Sequence, residues 1–415
     1  MVTIADLLQV KVKYYSLINR IRDAVSGLNS ADVVTPINTE IEKEKWIKKV
    51  RKGYFVDPQF WYNVPLLKTT ILRRGRLSSL ESELSSIEPR GEAEQFVLNQ
   101  LMNVVQDGID TTNLAESILF PHDDELLEIV TRKYGVPDEK NIRLALDQVM
   151  LTRESDCFRQ KTESLVHTCS KDEKNFDAEC IREILDWAMR QYGKCWPIEI
   201  NPNYTSINAC ENGTIGHPVI VIPENIQVSG LKLAELIGHK IDCHWRSSVN
   251  AGLIGIPKCD DELVYEGVAA LKDKEFSRNY YGTFNHGSVY YLVAIKEALQ
   301  AKSFASVSAF IYDCLPVSLG EERAAMAWHY TYSVFRGITD IENSHGYAFT
   351  KDRVYFEGYL FAKEVSDDGK ADFLSFSTLN RNGFERLMNI VSIDDIRNSV
   401  MLDKNIQEAF LRQLL

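Results

Sequence analysis

The sequence predicts an α+β fold that is mainly helical and carries one small sheet. Apolar and aromatic residues recur at helical spacing along most of residues 1–150 and again after about Ser229. Between those regions lie two short β-branched runs, CWPIEIN (195–201) and PVIVIPEN (218–225), which proline, asparagine and glycine bound. We therefore expect a helical N-terminal region at 1–150, a core at 151–385 and a C-terminal helical segment at 386–415.

The composition is that of an acidic globular protein. The 415 residues include 47 Lys plus Arg and 59 Asp plus Glu, which gives a formal net charge of −12. Such a surface repels phosphate backbones, so we expect no nucleic-acid partner. No run reaches the roughly 18 apolar residues of a membrane helix, so we expect no membrane partner. The eight cysteines form no CxxC pair and the N-terminus makes a poor secretory signal, which predicts reduced thiols and a cytoplasmic location.

Helical segments fill most of the predicted N-terminal region. Charged and aromatic residues follow helical spacing in IEKEKWIKKVRKGYF (41–55), and the pattern is clearer at 64–87. A further helix, DDELLEIVTRKYG, ends at Gly135, two residues before Pro137. In the predicted core, a helix covers 176–193 and ends in glycine.

The centre of the chain combines the small sheet with two helices. The turn-rich segment 202–217 joins the two β-branched runs, which predicts an antiparallel sheet. A helix follows from about Ser229, with apolar residues at positions 231, 234, 237 and 241. A loop rich in glycine and proline then leads to a second helix that opens at Asp260 or Asp261.

Two histidines and a glutamate in these helices have the chemistry of a zinc site. His239 and His244 lie near the end of the first helix, and Glu266 follows 22 residues later in the second. Zinc favours imidazole nitrogen and carboxylate oxygen, and a catalytic site leaves a fourth position for water. Residues five apart stand about 140° apart on a regular helix, so both histidines reach one ion only if the helix widens into a π-type turn. The alternative is that these residues are unrelated core or surface side chains.

Several motifs around these residues resemble those of the tyrosine carboxypeptidase family, whose members are zincin-like metallopeptidases with an HExxxH helix. The resemblance covers about residues 38–365 and is most specific from residue 219 onward. It rests on HKIDCH (239–244), YEGVA (265–269), FRG (335–337) and FTKDRVYFEG (349–358).

The resemblance implies a zincin-like core that hydrolyses a C-terminal residue from a peptide or protein. It implies that zinc is the cofactor, with His239, His244 and Glu266 as its ligands. The partner would be the C-terminus of a peptide or protein substrate.

The resemblance also suggests residues that hold the substrate. Arg336, Lys351 and Tyr355 are candidates for binding its terminal carboxylate, and Asn250 matches a family asparagine. The alternative for the two cations is a structural bridge, for instance through Asp352, and the alternative for Tyr355 is likewise a structural role.

Lys240 departs from the family pattern because it stands where the general-base glutamate is expected. A protonated lysine cannot accept a proton from water, and two positive charges about 5 Å apart repel by roughly 3 kcal/mol at an effective dielectric of 20. Three alternatives follow. Lys240 pairs with Glu266 in a silent site, Asp242 serves as base, or zinc keeps Lys240 neutral so that it acts as base. The competing function is therefore that of an inactive family member acting as a peptide-binding or regulatory protein.

Overall fold

The computed structural model describes residues 1–121, 123–154, 175–204, 206–210, 219–258, 262–281, 287–342 and 346–414. The described chain is mainly helical with short strands, which confirms the predicted fold class at that level. The predicted helix start at Asp260 or Asp261 lies outside the described residues, and the helix there is described from Leu263.

The described residues up to position 154 are mainly helical. A capping box at Thr3 begins the first helix, because its hydroxyl accepts from the Asp6 backbone while the Asp6 carboxylate accepts from the Thr3 backbone. The helices are α1 (Ile4–Lys13), α2 (Tyr15–Val25), α3 (Ser30–Val34), α4 (Thr39–Val50), α5 (Val64–Ile71), α6 (Arg74–Ser85), α7 (Glu92–Leu119), α8 (Asp123–Tyr134) and α9 (Glu139–Glu154). None of the described helices is long and apolar enough to cross a lipid bilayer.

The direction in which the two predicted strands pair differs from the prediction. The two β-branched runs, β2 (Ile198–Asn201) and β4 (Val219–Pro223), pair in parallel, whereas the sequence predicted an antiparallel pair. The reason is that the connection between them is long and contributes β3 (Asn208–Cys210), which pairs antiparallel on the other side of β4. A separate antiparallel pair joins β1 (Asn175–Asp177) to β5 (Gln227–Ser229).

Helices account for most of the remaining described chain. After β1 comes α10 (Ala178–Gln191), and after β5 come α11 (Gly230–Leu236), a π-helix (Ile237–Trp245) and α12 (Arg246–Ile254). The later helices are α13 (Leu263–Phe276), α14 (Gly287–Leu299), α15 (Phe304–Cys314), α16 (Glu322–Val334), α17 (Val354–Asp367), α18 (Arg381–Ile390), α19 (Ile393–Ser399) and α20 (Ile406–Leu414).

The apolar cores join distant parts of the chain. One core packs Leu7 and Leu101 from the N-terminal helices with Val268 from α13. Another packs α10, the sheet and the π-helix against Phe410 in the last helix. The predicted boundaries at residues 150 and 385 stay predictions, and the buried contacts run across both positions.

Two glycines let α13 and α17 approach each other closely. A Cβ atom on Gly267 would lie 2.6 Å from the Gly358 Cα atom, and one on Gly358 would lie 2.9 Å from the Gly267 Cα atom. Real Cβ atoms essentially never come within 3.0 Å of such neighbours. Any larger side chain would therefore force the two helices apart. This crossing brings the segment around Tyr355 against the segment around Glu266.

Candidate metal centre

The π-helix brings the two histidines to one face. It covers Ile237–Trp245, and its hydrogen bonds span five residues, so that residues five apart stand above one another. The Nε2 atoms of His239 and His244 lie 3.0 Å apart. The sequence predicted this widened turn from the spacing of the histidines, and the structure confirms it.

Glu266 on α13 completes the cluster. Its Oε1 atom lies 3.6 Å from the Nε2 atom of His244, and one ligand atom from each of the three residues lies within 4.8 Å of the others. Tetrahedral zinc, with bonds of about 2.0–2.1 Å, separates its ligand atoms by about 3.3 Å. Shifts of a few tenths of an ångström to about 1.5 Å would therefore let this donor set hold the ion.

Asp273 orients the first histidine, and the sequence argument did not identify it. The Nδ1 atom of His239 lies 2.8 Å from Oδ2 of Asp273. Donation from Nδ1–H to this carboxylate leaves the Nε2 lone pair directed at the cluster. A carboxylate behind a ligating histidine is common at metal sites, where it fixes the ring and raises its basicity. Its position in the sequence could have indicated this role, because Asp273 follows Glu266 by seven residues and so shares its helix face.

His244 is buried and neutral. Burial is the main reason that the pKa of His244 lies well below its usual value, and the nearby His239 and Lys240 lower it further. The ring stacks on Tyr265 with centroids 3.9 Å apart. Its Nδ1 atom is buried without a hydrogen-bond partner among the described residues. A neutral imidazole is the form that binds metals.

Lys240 lies beside this cluster and is partly exposed. Burial lowers its pKa, and the Glu266 carboxylate opposes that shift. Glu266 has His244 as its ion-pair partner, and among the described residues Lys240 has no carboxylate within 4.0 Å. The direct Lys240–Glu266 pair of the first alternative is therefore not formed in this structure.

Two hydrogen bonds hold the side chain of Asp242, which the sequence suggested as an alternative base. Tyr192 donates its hydroxyl to Oδ1 at 2.6 Å, and the Gln407 backbone N–H donates to Oδ2 at 3.1 Å. The side chain is fully buried, and burial together with the charge of Asp403 raises its pKa to about 6. Asp242 thus ties the π-helix to α10 and to the start of α20, and both of its oxygens are occupied.

Hydrogen bonds to backbone groups also hold the side chain of Asn250, which the resemblance suggested for substrate binding. Its side chain is fully buried. The amide nitrogen donates to the backbone oxygens of Ser375 and Met401 at 3.1 and 2.9 Å, and the amide oxygen accepts from the Met401 N–H at 3.0 Å. These bonds hold two C-terminal segments against α12.

The two predicted carboxylate-binding cations are both paired. Arg336 donates to Asp352 at 2.6 Å and to the Ser333 backbone oxygen at 2.9 Å, which is the structural bridge weighed in the sequence. The ammonium of Lys351 lies 3.2 Å from Oε2 of Glu262. A substrate carboxylate at either cation would therefore compete with a carboxylate that is already paired there.

Tyr355 is the remaining substrate-binding candidate, and its hydroxyl interacts electrostatically with Glu266 in the cluster. The charge of Glu266, followed by burial, raises the pKa of Tyr355 well above its usual value, which places the hydroxyl in the field of that carboxylate. The Tyr355 ring also lines a cavity that Asp273 borders. Its hydroxyl stays protonated and can donate a hydrogen bond.

The donor set and its buried surroundings define a class of site, a candidate divalent-metal centre of the His–His–Glu type. Comparison with known proteins does not assign the chain to a family. No protein-family model, curated protein or solved structure matches the chain.

Proposed function

We propose that this protein is a zinc metallopeptidase of the tyrosine-carboxypeptidase type, which hydrolyses a C-terminal residue from a peptide or protein. The observation that carries the proposal is the convergence of His239, His244 and Glu266 on one point through a π-helix. The order of helix, loop and helix, in which the first helix supplies two ligands and the second supplies one, supports a zincin-like core.

The surrounding residues would prepare the three ligands. Asp273 fixes the tautomer of His239, and burial keeps His244 neutral. When bound, zinc would polarise the scissile carbonyl and lower the pKa of a water molecule. Tyr355 can donate a hydrogen bond from beside Glu266, where negative charge develops on the substrate oxygen during hydrolysis.

Lys240 supports the second candidate, a catalytically inactive family member that binds peptides or has a regulatory role. It stands at the position of the general base, and Asp242 is not free to replace it. Metal and peptide binding are common to both candidates, and turnover separates them.

Metal content tests the site itself. Protein purified under zinc-replete conditions without added metal should contain about one zinc per chain by elemental analysis. His244→Ala and Glu266→Gln should each lose it. His329→Gln is the matched control, because His329 bonds to the Tyr291 hydroxyl at 2.7 Å and does not belong to the cluster. Equal metal content in all four proteins, or none in the parent, would exclude the proposed centre.

Turnover distinguishes the two candidates. Peptides that end in different residues are incubated with the zinc-loaded protein, and mass spectrometry detects loss of the last residue. Cleavage by the parent that His244→Ala abolishes supports the peptidase. If the parent is silent and Lys240→Glu gains cleavage, the parent is a degenerate enzyme and the second candidate holds.

A further inference from the structure

A cavity of about 260 Å³ lies next to the proposed metal centre. Asp273, which bonds to His239, and Tyr355, which lies beside Glu266, both line it. Pockets for drug-sized ligands are usually about 300–1,000 Å³. This cavity therefore has room for a ligand about the size of one amino-acid residue.

One stripe of α13 joins the cavity to the metal centre. Ala270, Asp273 and Lys274 line the cavity and follow Glu266 by four, seven and eight residues. Residues at these offsets share one face of a helix.

Lys274 is a buried cation without a charge partner among the described residues. Only 6% of the residue is exposed, and burial lowers the pKa of its ammonium to about 8. Its contacts are aromatic, because the ammonium lies 3.5 Å from the centroid of the Tyr359 ring and 5.1 Å from that of Phe356. Aromatic faces attract the charge, but they are weak acceptors for its three N–H groups.

Two other residues that line the cavity each carry a polar atom that is buried and unpartnered among the described residues. These atoms are the hydroxyl of Ser288 and the Oδ1 atom of Asp273. A hydroxyl and an ammonium donate to a carboxylate, and a carboxylate oxygen accepts from an amide N–H. The three rings that complete the wall, Tyr291, Tyr330 and Tyr355, provide an apolar surface.

We propose that Lys274 binds the free carboxylate of a C-terminal amino-acid residue that occupies this cavity. Ser288 donates a second hydrogen bond to that carboxylate, and Asp273 accepts from the amide N–H of the same residue. The placement of the scissile bond at the metal rests on the proposed function. The carboxylate site itself is inferred from the cavity and from the unpartnered groups of its lining residues.

Binding of N-acetyl-L-phenylalanine and of its carboxamide, each measured by calorimetry, tests this assignment without any need for turnover. The acid should bind the parent and lose at least about tenfold in affinity in Lys274→Met, since a charge-assisted hydrogen bond is removed. The carboxamide should bind weakly and equally to both proteins. Lys363→Met is the control, because Lys363 is an exposed lysine on the adjacent α17 and should leave both affinities unchanged.

Ser288→Ala provides a second test that does not depend on the folding of the Lys274 variant. It should weaken binding of the acid about threefold and leave that of the carboxamide unchanged. No binding of the acid, equal binding of acid and carboxamide, or unchanged affinity in Lys274→Met would each overturn the proposal. Zinc content is measured on the same samples. Selective binding of the acid by protein without zinc would support the carboxylate site and exclude the zinc peptidase. Zinc in the protein without selective binding of the acid would support the metal centre and exclude the carboxylate site.

Discussion

Substitution of Gly358 by alanine should destabilise the protein and disturb the candidate centre together. A Cβ atom at this position would lie 2.9 Å from the Gly267 Cα atom and closer still to the Leu263 backbone oxygen. Both neighbours are backbone atoms, so no side-chain rotation can relieve the contact. The two helices must instead separate, which moves Tyr355 away from Glu266.

The expected magnitude follows from two opposing effects. Separation of packed helices by overpacking costs about 1–3 kcal/mol, and contact with rigid backbone places this case near the upper value. Alanine gains about 1 kcal/mol over glycine in a helix. The net loss in the free energy of unfolding should therefore be about 2 kcal/mol, measured by urea denaturation.

Gly252→Ala is the matched control for this prediction. Gly252 is an exposed residue within α12, and a Cβ atom there would meet nothing within 4 Å. The control should gain about 0.5–1 kcal/mol from helix propensity. If Gly358→Ala proves as stable as Gly252→Ala, the close helix crossing does not exist as described, and the placement of Tyr355 beside Glu266 loses its basis.

Three further predictions concern single side chains. Asn250→Ala should lower the free energy of unfolding by about 3 kcal/mol or more in urea denaturation, because it leaves buried backbone groups unpaired, and the zinc content should not change. Loss of ligand binding at unchanged stability would instead indicate a binding role. Asp273→Asn should weaken zinc binding about 10–100-fold in competition with a chelator, and an unchanged affinity would mean that Asp273 does not orient His239. Lys274→Met should stabilise the protein by up to about 3 kcal/mol at pH 7, because burial lowers the pKa of Lys274 from 10.5 to about 8 at about 1.4 kcal/mol per pH unit. That gain should shrink as the pH rises from 8 to 10.5, because the folded parent releases the Lys274 proton near pH 8 whereas the unfolded chain keeps it until about pH 10.5. A gain that does not depend on pH would contradict this origin.

The widened turn could be predicted because it follows from local geometry alone. Two histidines five residues apart do not share a face of a regular helix, so a shared ion requires the helix to widen between them. The structure contains a π-helix at that place. The mainly helical fold followed in the same way from periodicity. The pairing of the strands did not, because parallel or antiparallel order depends on the path of the connecting segment and not on the strands themselves.

The roles of Asn250 and Asp242 could not be read from position in a motif. Each is polar and lies close to a candidate ligand in sequence, which made it a candidate for the site. Two of their partners, Met401 and Gln407, come from more than 150 residues further along the chain. A sequence pattern does not contain that information, whereas the offsets that place Asp273 and Lys274 on the same face of α13 as Glu266 were available in it.

The cations around the centre differ in what a bound carboxylate would have to displace. Arg336 and Lys351 are already paired with Asp352 and Glu262. A ligand carboxylate at either cation would have to compete with the carboxylate that is already paired there, and displacing one partner of a largely buried ion pair costs about 3–5 kcal/mol. Lys274 differs from both, because its side chain is buried without an anion among the described residues and a ligand carboxylate would supply one. We therefore expect a carboxylate in the cavity to gain at Lys274 an interaction without this competition.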